Sequence, residues 1–411
     1  MKKKVLVVTS EFPRWENDST KPSYFFELCQ HLARFFAVSV VTPHEFCASK
    51  QQCFTQVNVT RFQYFWPSKW QVLYHQENES ATFLWNVFRI IQAPFFLIAE
   101  CNALIRIILS EKCDIVVTHN FFPHSMLYAI LNFFLKIPQV LIIDTSESML
   151  LKKKSFFLNY MIANILNLAK CVILHNAYIR YCLEKITKKP FHHKIIPQGI
   201  NSLPFTRIAH TSKIQQALDL PRDKKIFLFI GKLTCSHGIH ILLEAANLLR
   251  KQYDNFILLV FANGPLKRTI NKWIKQQNME HIVFFSHLYD RSFLPDYFAL
   301  SDALVIPSIV DEDGYTDVST ELILQGLSAG VPIIASRIAD ITNPLKDGCN
   351  GWLFEQGKYG DLAEKMKIIL QEKPLKTIKK NAQSSIKEYS WDIIAHDLYQ
   401  TINQLFFYHK K

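Results

Sequence analysis

Three stretches in the second half of the chain place residues suited to holding an anion next to turns. Gly231-Lys232-Leu233-Thr234-Cys235-Ser236-His237-Gly238 separates an apolar run from an amphipathic one, so a lysine and a histidine sit where a helix should begin. Lys232 can neutralise a diphosphate, and His237 with Gly238 stands where unpaired backbone N–H groups and the positive helix end favour phosphate. An ordinary strand-to-helix turn with a solvated lysine fits the same spacing. Ala262-Asn263-Gly264-Pro265 is a tight turn in which the glycine lets backbone approach a ligand closely. In the third stretch, an apolar strand from Ala303 to Pro307 empties into a polar loop and then a helix ending at Ala329-Gly330-Val331-Pro332. Asp317 suits the N-cap of that helix. Glu321 and Gln325 lie one turn apart on one face of it.

These turns must be positioned by strands, and the apolar runs supply them. Val5 to Thr9 opens the first half, followed by a helical pattern from Tyr24 to Phe35 and strands at Val38–Thr42, Ile115–Thr118, Val140–Ile143 and Val172–Leu174. The second half opens at Ile226–Ile230 and continues with strands at Ile257–Phe261, Ile282–Phe285, Leu304–Ile306 and Ile333–Ile334, with helical patterns between them. Such alternation predicts an α/β fold of two doubly wound, Rossmann-like domains, with chemistry at the carboxyl ends of the strands. The polar, proline-containing stretch from Pro197 to Pro221 reads as the linker.

Composition narrows the partners. With 49% hydrophobic residues over 411, the chain can build large cores. Its nine cysteines show no C-x-x-C pair or metal-ligand spacing and read as reduced core residues of a cytoplasmic protein. The apolar run Val5–Val8 is too short for a signal-peptide core. Val87–Leu109 is interrupted by Arg89, Gln92, Glu100, Asn102 and Arg106, which argues against a spanning helix. A net charge of +12 admits nucleic acid, an anionic membrane or a phosphorylated substrate; no nucleic-acid motif accompanies it. Lys152-Lys153-Lys154 ahead of an apolar stretch fits either an amphipathic element on a membrane face or a core helix with a solvated basic start. Trp15, Trp66, Trp70 and Trp85 fit either an acceptor cleft or packing in the core and at its rim.

Taken in order, Glu11-Phe12-Pro13-Arg14-Trp15, Ile137-Pro138, Pro197 to Asn201, Gly231-Lys232-Leu233, Ala262 to Leu266, Pro307-Ser308 and Ala329 to Pro332 resemble the motifs of the retaining glycosyltransferases of family 4. The resemblance runs from about Lys4 to Leu405. It implies a GT-B architecture: residues 1–200 forming an acceptor domain, 201–390 a nucleotide-sugar domain facing it across a cleft, and 391–411 a helix crossing back to the first domain. It also implies a nucleotide-sugar donor, no metal or other cofactor, and transfer with retention to a cell-envelope glycan or lipid-linked saccharide. The cysteines point to the cytoplasm, and the positive charge leaves a peripheral place on an anionic inner-membrane face as one option.

By the same resemblance, Lys232 contacts the diphosphate and His237 stands where the family usually has lysine. Gly238, Asn263 and Gly264 belong to the donor loops. The family signature carries two glutamates eight residues apart, and anchoring on Gly330 and Pro332 places Asp317 at the first and Gln325 at the ribose-gripping second. A shifted register would pair Asp313 with Glu321, and Glu321 in any case can assist the donor site. His119 matches a strand-tip histidine of the family, while Asp144 takes the position of its usual His-Gly-x-Asp histidine. Catalytic roles thus fall to His119, Asp144 and Asp317. Arg14 and Ser23 fall on the acceptor side, where Thr20-Lys21-Pro22-Ser23 replaces a glycine-rich loop. These departures leave a catalytically inactive subunit or sugar-binding scaffold as the alternative to an enzyme. A sugar-nucleotide epimerase of the same fold is a third reading.

Overall fold

The computed structural model describes the chain apart from residues 1, 17, 19–23, 72, 74–82, 145–154, 188–189, 207–210, 287–290, 312–315, 317, 339–340, 342, 372–374 and 409–411. Asp313, Asp317, Ser23 and Lys152–Lys154 therefore lie outside the described residues. The chain divides into two compact units, Met1–Gly199 with Trp391–Lys411, and Ile200–Ser390.

The first unit holds strands β1 (Lys4–Val8), β2 (Ala37–Pro43), β3 (Gln51–Phe54), β4 (Val57–Phe62), β5 (Ile115–His119), β6 (Gln139–Ile143), β7 (Cys171–Leu174) and β8 (His193–Ile195). They form one sheet in the order β3-β4-β2-β1-β5-β6-β7-β8, parallel except for the β3–β4 pair. The central strands are runs of mostly apolar residues because both faces are covered, with polar residues such as Thr118 and His119 falling near their carboxyl ends. Val5 and Val7 enter one core with Val38, Val40, Ile115 and Val117. Leu6 and Val8 enter the opposite core with Val41 and Val116.

The helices of this unit include α1 (Tyr24–Leu32), α2 (Phe83–Glu111), α3 (Met126–Leu135) and α4 (Phe156–Leu168). On one face of the sheet, α1 packs beside the final helix, Trp391–Tyr408. That helix brings in Trp391, Ile394, Leu398, Ile402 and Leu405, a helical spacing that aims all five into the first unit's core. Its anchor is steric as well as apolar: a Cβ on Gly199 would lie 2.5 Å from the Trp391 ring, so only glycine lets the indole seat there. On the opposite face, α2 contributes Phe96, Leu104, Ile107 and Ile108.

The second unit holds β9 (Lys225–Lys232), β10 (Phe256–Asn263), β11 (Val283–Phe285), β12 (Ala303–Ile306), β13 (Ile333–Ser336) and β14 (Trp352–Phe354). Their order is β11-β10-β9-β12-β13-β14, all parallel. Two of its helices flank the site, α5 (Ile239–Leu249) and α6 (Thr320–Ala329). In both units the chain steps from the first strand to one side and later returns to the other. That reversal leaves a crevice at the strands' carboxyl ends, between β1 and β5 in one unit and between β9 and β12 in the other.

Several expectations need correction. The stretch from Pro197 to Pro221 is not a bare linker: it contains the short helices Leu203–Thr206 and Thr211–Ala217, and buries Ile200 and Leu220 in the second unit's core. Cys29, Cys113, Cys171 and Cys182 are buried, but Cys47, Cys235 and Cys349 are exposed on connections and Cys53 is exposed on the edge strand β3. Of the tryptophans, Trp15, Trp66 and Trp70 are exposed rather than packed in a core. Strands β3, β4, β8 and β14 escape a reading by apolar runs, since three of them are short and β3 and β8 are polar sheet edges. The expectation against a spanning helix is not overturned: the segment lies in a 29-residue helix whose stretch Phe88–Glu111 is long and apolar enough to cross a membrane by length and composition only.

Candidate active site

At the second unit's switch point, β9 runs out through Gly231 and Lys232, and α5 begins at Ile239 behind Gly238. Gly238 has φ +69°, and a Cβ there would fall 1.7 Å from the Pro307 carbonyl oxygen. Glycine is therefore what presses the start of α5 against the tip of β12. His237 accompanies this turn: its Nδ1 lies 2.9 Å from Thr234 Oγ1, and its ring edge would sit 2.7 Å from a Cβ on Gly231. The imidazole thus lies across bare backbone beside Lys232.

Lys232, His237 and Arg291 share the lining of a cavity of about 250 Å³ with Gly231, Ser308, Ser319 and Gln325. Three basic side chains together with a helix start suit a diphosphate. Asn263 and Gly264 stand at the neighbouring tip: Asn263 pairs in register with Lys232, and its carbonyl accepts from Leu233 N at 2.8 Å. They frame the loop without lining the cavity. A wider depression of about 670 Å³, around Arg250, Lys251 and His281, lies at the amino ends of β9 to β11. Open α/β sheets bind ligands at the other end.

Helix α6 starts at Thr320, capped by Ser319, whose Oγ accepts from Leu322 N at 3.2 Å. The capping role expected of Asp317 therefore belongs to Ser319, which stands directly before the first helical residue. In the first turn Glu321 accepts from Arg291 Nη2, at 2.9 Å to each carboxylate oxygen, and from Gln325 Nε2 at 2.9 Å. Gln325, buried, thus turns its amide nitrogen to Glu321. Nothing in the sequence singles out Arg291. It comes from a turn thirty positions before Glu321, and no local spacing links the two.

At the first unit's switch point, four strand tips converge. His119 ends β5, Asp144 follows β6, His175 follows β7 and Thr9 follows β1. His119 Nε2 lies 2.9 Å from Asp144 Oδ2, and its Nδ1 lies 3.0 Å from Thr9 Oγ1. The Thr9 hydroxyl accepts from Glu11 N, so its own proton is available for His119 Nδ1, which leaves Nε2 as the donor to Asp144. His175 donates from Nδ1 to the Ile196 carbonyl at 3.0 Å, which turns its Nε2 to within 3.0 Å of Asp144 Oδ1. That second approach is off the line of a good hydrogen bond.

Phe25 leans over His119 at 4.2 Å and Tyr24 meets His175 edge-on at 5.0 Å, closing the cluster from α1. Burial alone would push the Asp144 carboxyl up; electrostatic attraction and a hydrogen bond from His119, joined by His175, outweigh it and hold the group well below the ordinary carboxylate range. Burial, and then the Asp144 charge, push the Tyr24 phenol well above its usual value. His175 belongs to no motif in the sequence; its place directly after an apolar strand is the one signal that could have found it.

Glu11, His119 and Asp144 each offer a ligand atom within 4.8 Å of the others, a spacing that could take a cation. A cation there would compete for His119 Nε2, which is already committed to Asp144. Arg14 is held by Asp18, with Nε 2.8 Å from Oδ2 and Nη2 3.2 Å from Oδ1, and its guanidinium stacks 4.3 Å over the Trp15 ring.

Two Rossmann-like α/β units, each with its crevice at the strand tips, define the GT-B class of glycosyltransferases. Residues 23–202 match the family model of Glycosyltransferase Family 4, and residues 210–385 that of Glycosyl transferases group 1. The chain belongs to the group 1, family 4 glycosyltransferases. Solved structures sharing the fold include sucrose-phosphate synthase from Thermosynechococcus elongatus, at 17% identity and TM-score 0.74, covering 98% of this chain and 99% of that one. Another is Anabaena HepE in complex with UDP, at 17% identity and TM-score 0.69, covering 98% and 100%.

Among curated proteins, an uncharacterized glycosyltransferase of Methanocaldococcus jannaschii is 28% identical over 293 residues, 70% of this chain and 74% of its own length. Alpha-monoglucosyldiacylglycerol synthase of Acholeplasma laidlawii is 26% identical over 241 residues, 54% of this chain. The matched region spans only 58% of that synthase and 52% of a second M. jannaschii glycosyltransferase.

Proposed function

We propose that the chain transfers a hexosyl group from a nucleotide sugar, bound at the tips of β9 and β12, to a cell-envelope saccharide or lipid-linked acceptor, with retention and without a metal ion. The observation that carries this reading is the cationic cavity at the second unit's switch point, where Lys232, His237 and Arg291 meet the start of α5. In the transition state the leaving diphosphate gains negative charge, and pre-placed donors stabilise it more than they stabilise the bound donor. Complexes of the HepE fold relative with UDP and UDP-glucose make uridine donors the first to test. The name of the Acholeplasma relative, a glucosyldiacylglycerol synthase, supports a lipid acceptor. Nine cysteines with no disulfide among them suit a reducing cytoplasm.

Titration calorimetry with UDP-, GDP- and ADP-sugars, followed by transfer assays into membrane extracts, tests the reading, and NMR of the product's anomeric centre tests retention. Saturable binding of one nucleotide sugar with turnover supports it. Absence of binding to any of them refutes it. A second reading, an inactive GT-B subunit, is favoured by the engagement of Gln325 with Glu321 and by a carboxylate at position 144. Donor binding without turnover in any extract would select it.

A further inference from the structure

The outer surface of α2, α3 and α4 is apolar where a water-facing surface should be polar. On α2, Ile90, Ile91, Phe95 and Ile98 are exposed. The neighbouring α3 exposes Ile130, Phe133 and Phe134, the last two by 80% and 77%. Next along, α4 exposes Phe156, Phe157 and Tyr160, the first by 89%. Helix α3 touches both of the others, so the three surfaces adjoin. The second unit has a similar length but shows only Leu203, Leu248, Phe293 and Tyr359 as large exposed apolar side chains among the described residues, no two on one helix. Scattered apolar residues are ordinary, whereas a patch spread over three helices marks a contact surface.

Charge selects the occupant. Helices α3 and α4 carry no charged residue, and α2 has two carboxylates. One, Glu100, is buried against His124 at 2.6 Å; the other, Glu111, accepts from Ser39 at 2.6 Å at the helix end. Arg106 and Lys136 are exposed on and beside these helices, and in sequence the stretch 145–154 ahead of Ser155 and α4 holds three lysines, Lys152 to Lys154, and one acid, Glu147. Trp66 and Trp70 are exposed in the turn that Gln92 Nε2 ties to α2 through the Trp70 carbonyl. Exposed aromatics with Arg106 and Lys136 at their margin, and no exposed acid among the described residues of the three helices, match a bilayer bearing anionic headgroups.

Lying on the surface, rather than crossing it, is what the packing of α2 allows. A crossing would strip Glu100 from His124 and pull Leu104, Ile107 and Ile108 out of the core. We propose that α2, α3 and α4 form a membrane-docking face that seats the first unit on an anionic lipid bilayer, the phenylalanines entering the interfacial region. Docking requires no donor and no transfer, so it succeeds or fails independently of the glycosyl transfer reaction.

The test is sedimentation of the full chain with vesicles of phosphatidylcholine, with and without phosphatidylglycerol. The expected result is binding to the phosphatidylglycerol vesicles that weakens with salt. It should fall at least about tenfold in the Phe133→Ser, Phe134→Ser, Phe156→Ser variant and about tenfold in Arg106→Gln, Lys136→Gln. The control variant Leu248→Ser, Tyr359→Ser should bind like the parent. If the serine variant fails to fold, quenching of Trp66 and Trp70 by brominated acyl chains decides in its place, and no quenching overturns the proposal. So does a parent chain that ignores both vesicles, or a folded serine variant that binds as well as the parent. A chain that ignores vesicles but self-associates, and becomes monomeric in the serine variant, assigns the face to a second copy and equally overturns it.

Discussion

In the first unit the ionisable groups at the strand tips, His119, Asp144 and His175, approach one another to within 3.0 Å. In the second, Lys232, His237 and Arg291 line an open cavity of about 250 Å³. The two crevices arise from the same strand order, yet in one the ionisable groups close on one another and in the other basic groups line an open cavity, where Arg291 is paired with Glu321. A carboxylate so enclosed by imidazoles and aromatic rings is first a stability group, because removing any partner strands another in a poorly hydrated place. Basic groups on an open cavity cost little when removed singly, so their worth appears in ligand affinity.

That contrast can be broken most sharply at Asp144. Asp144→Asn should lower stability by about 3 kcal/mol at pH 7, as expected for opening a buried pair, with the loss read by urea unfolding. The pH dependence carries the sign. A carboxyl whose folded value is depressed below the ordinary 3.8 contributes stability that is complete above about pH 4 and is lost as pH falls toward the folded value. Wild type should therefore weaken steeply on acidification below about pH 4, and Asp144→Asn should show a flatter acid limb. Equal acid limbs in the two proteins would remove Asp144 from that role.

Lys232→Ala should behave oppositely: nearly unchanged unfolding, but donor affinity weaker by about 2 kcal/mol, the scale of a hydrogen bond to a charged group. Calorimetry beside thermal melts separates the two effects. A large fall in melting temperature with intact affinity would erase the distinction between the crevices.

Arg291→Met falls between these cases, since Arg291 both lines the cavity and holds Glu321. About 1 kcal/mol should be lost from stability and donor affinity should drop several-fold. Adding Glu321→Gln should recover the stability but not the affinity. Gln325→Glu should have the smallest effect. A second carboxylate facing Glu321 should cost about 0.5 kcal/mol at pH 7, the size of a like-charge pair one helical turn apart, and the cost should fade near pH 4. An increase in stability at pH 7 would show that Arg291 accommodates both acids.

The alternation of apolar runs is enough to read two parallel-sheet units and most of their central strands, because a strand buried on both faces is a near-continuous apolar run. Loop motifs at Gly231–Gly238 and Ala329–Pro332 are legible for a similar reason: backbone that turns this tightly, with φ +69° at Gly238 and Gly330, restricts the residue types it accepts. Lys232 and His237 follow from their places in such a loop. The edge strands β3 and β8 are not legible, since half-exposed strands carry polar residues that resemble loops. Nor is the exposure of Phe133 or Phe156, as an apolar residue reads the same whether it faces a core or the outside.

Local pattern determined the class of fold and the loops suited to an anion, because backbone geometry and burial act on neighbours in the chain. Which side chains answer one another was decided only in three dimensions. His175 reaches Asp144 from a strand 31 positions later, and Arg291 reaches Glu321 across 30. Hydrogen bonds and charges depend on distances of about 3 Å in space. Only the folded unit brings residues so distant in the chain that close.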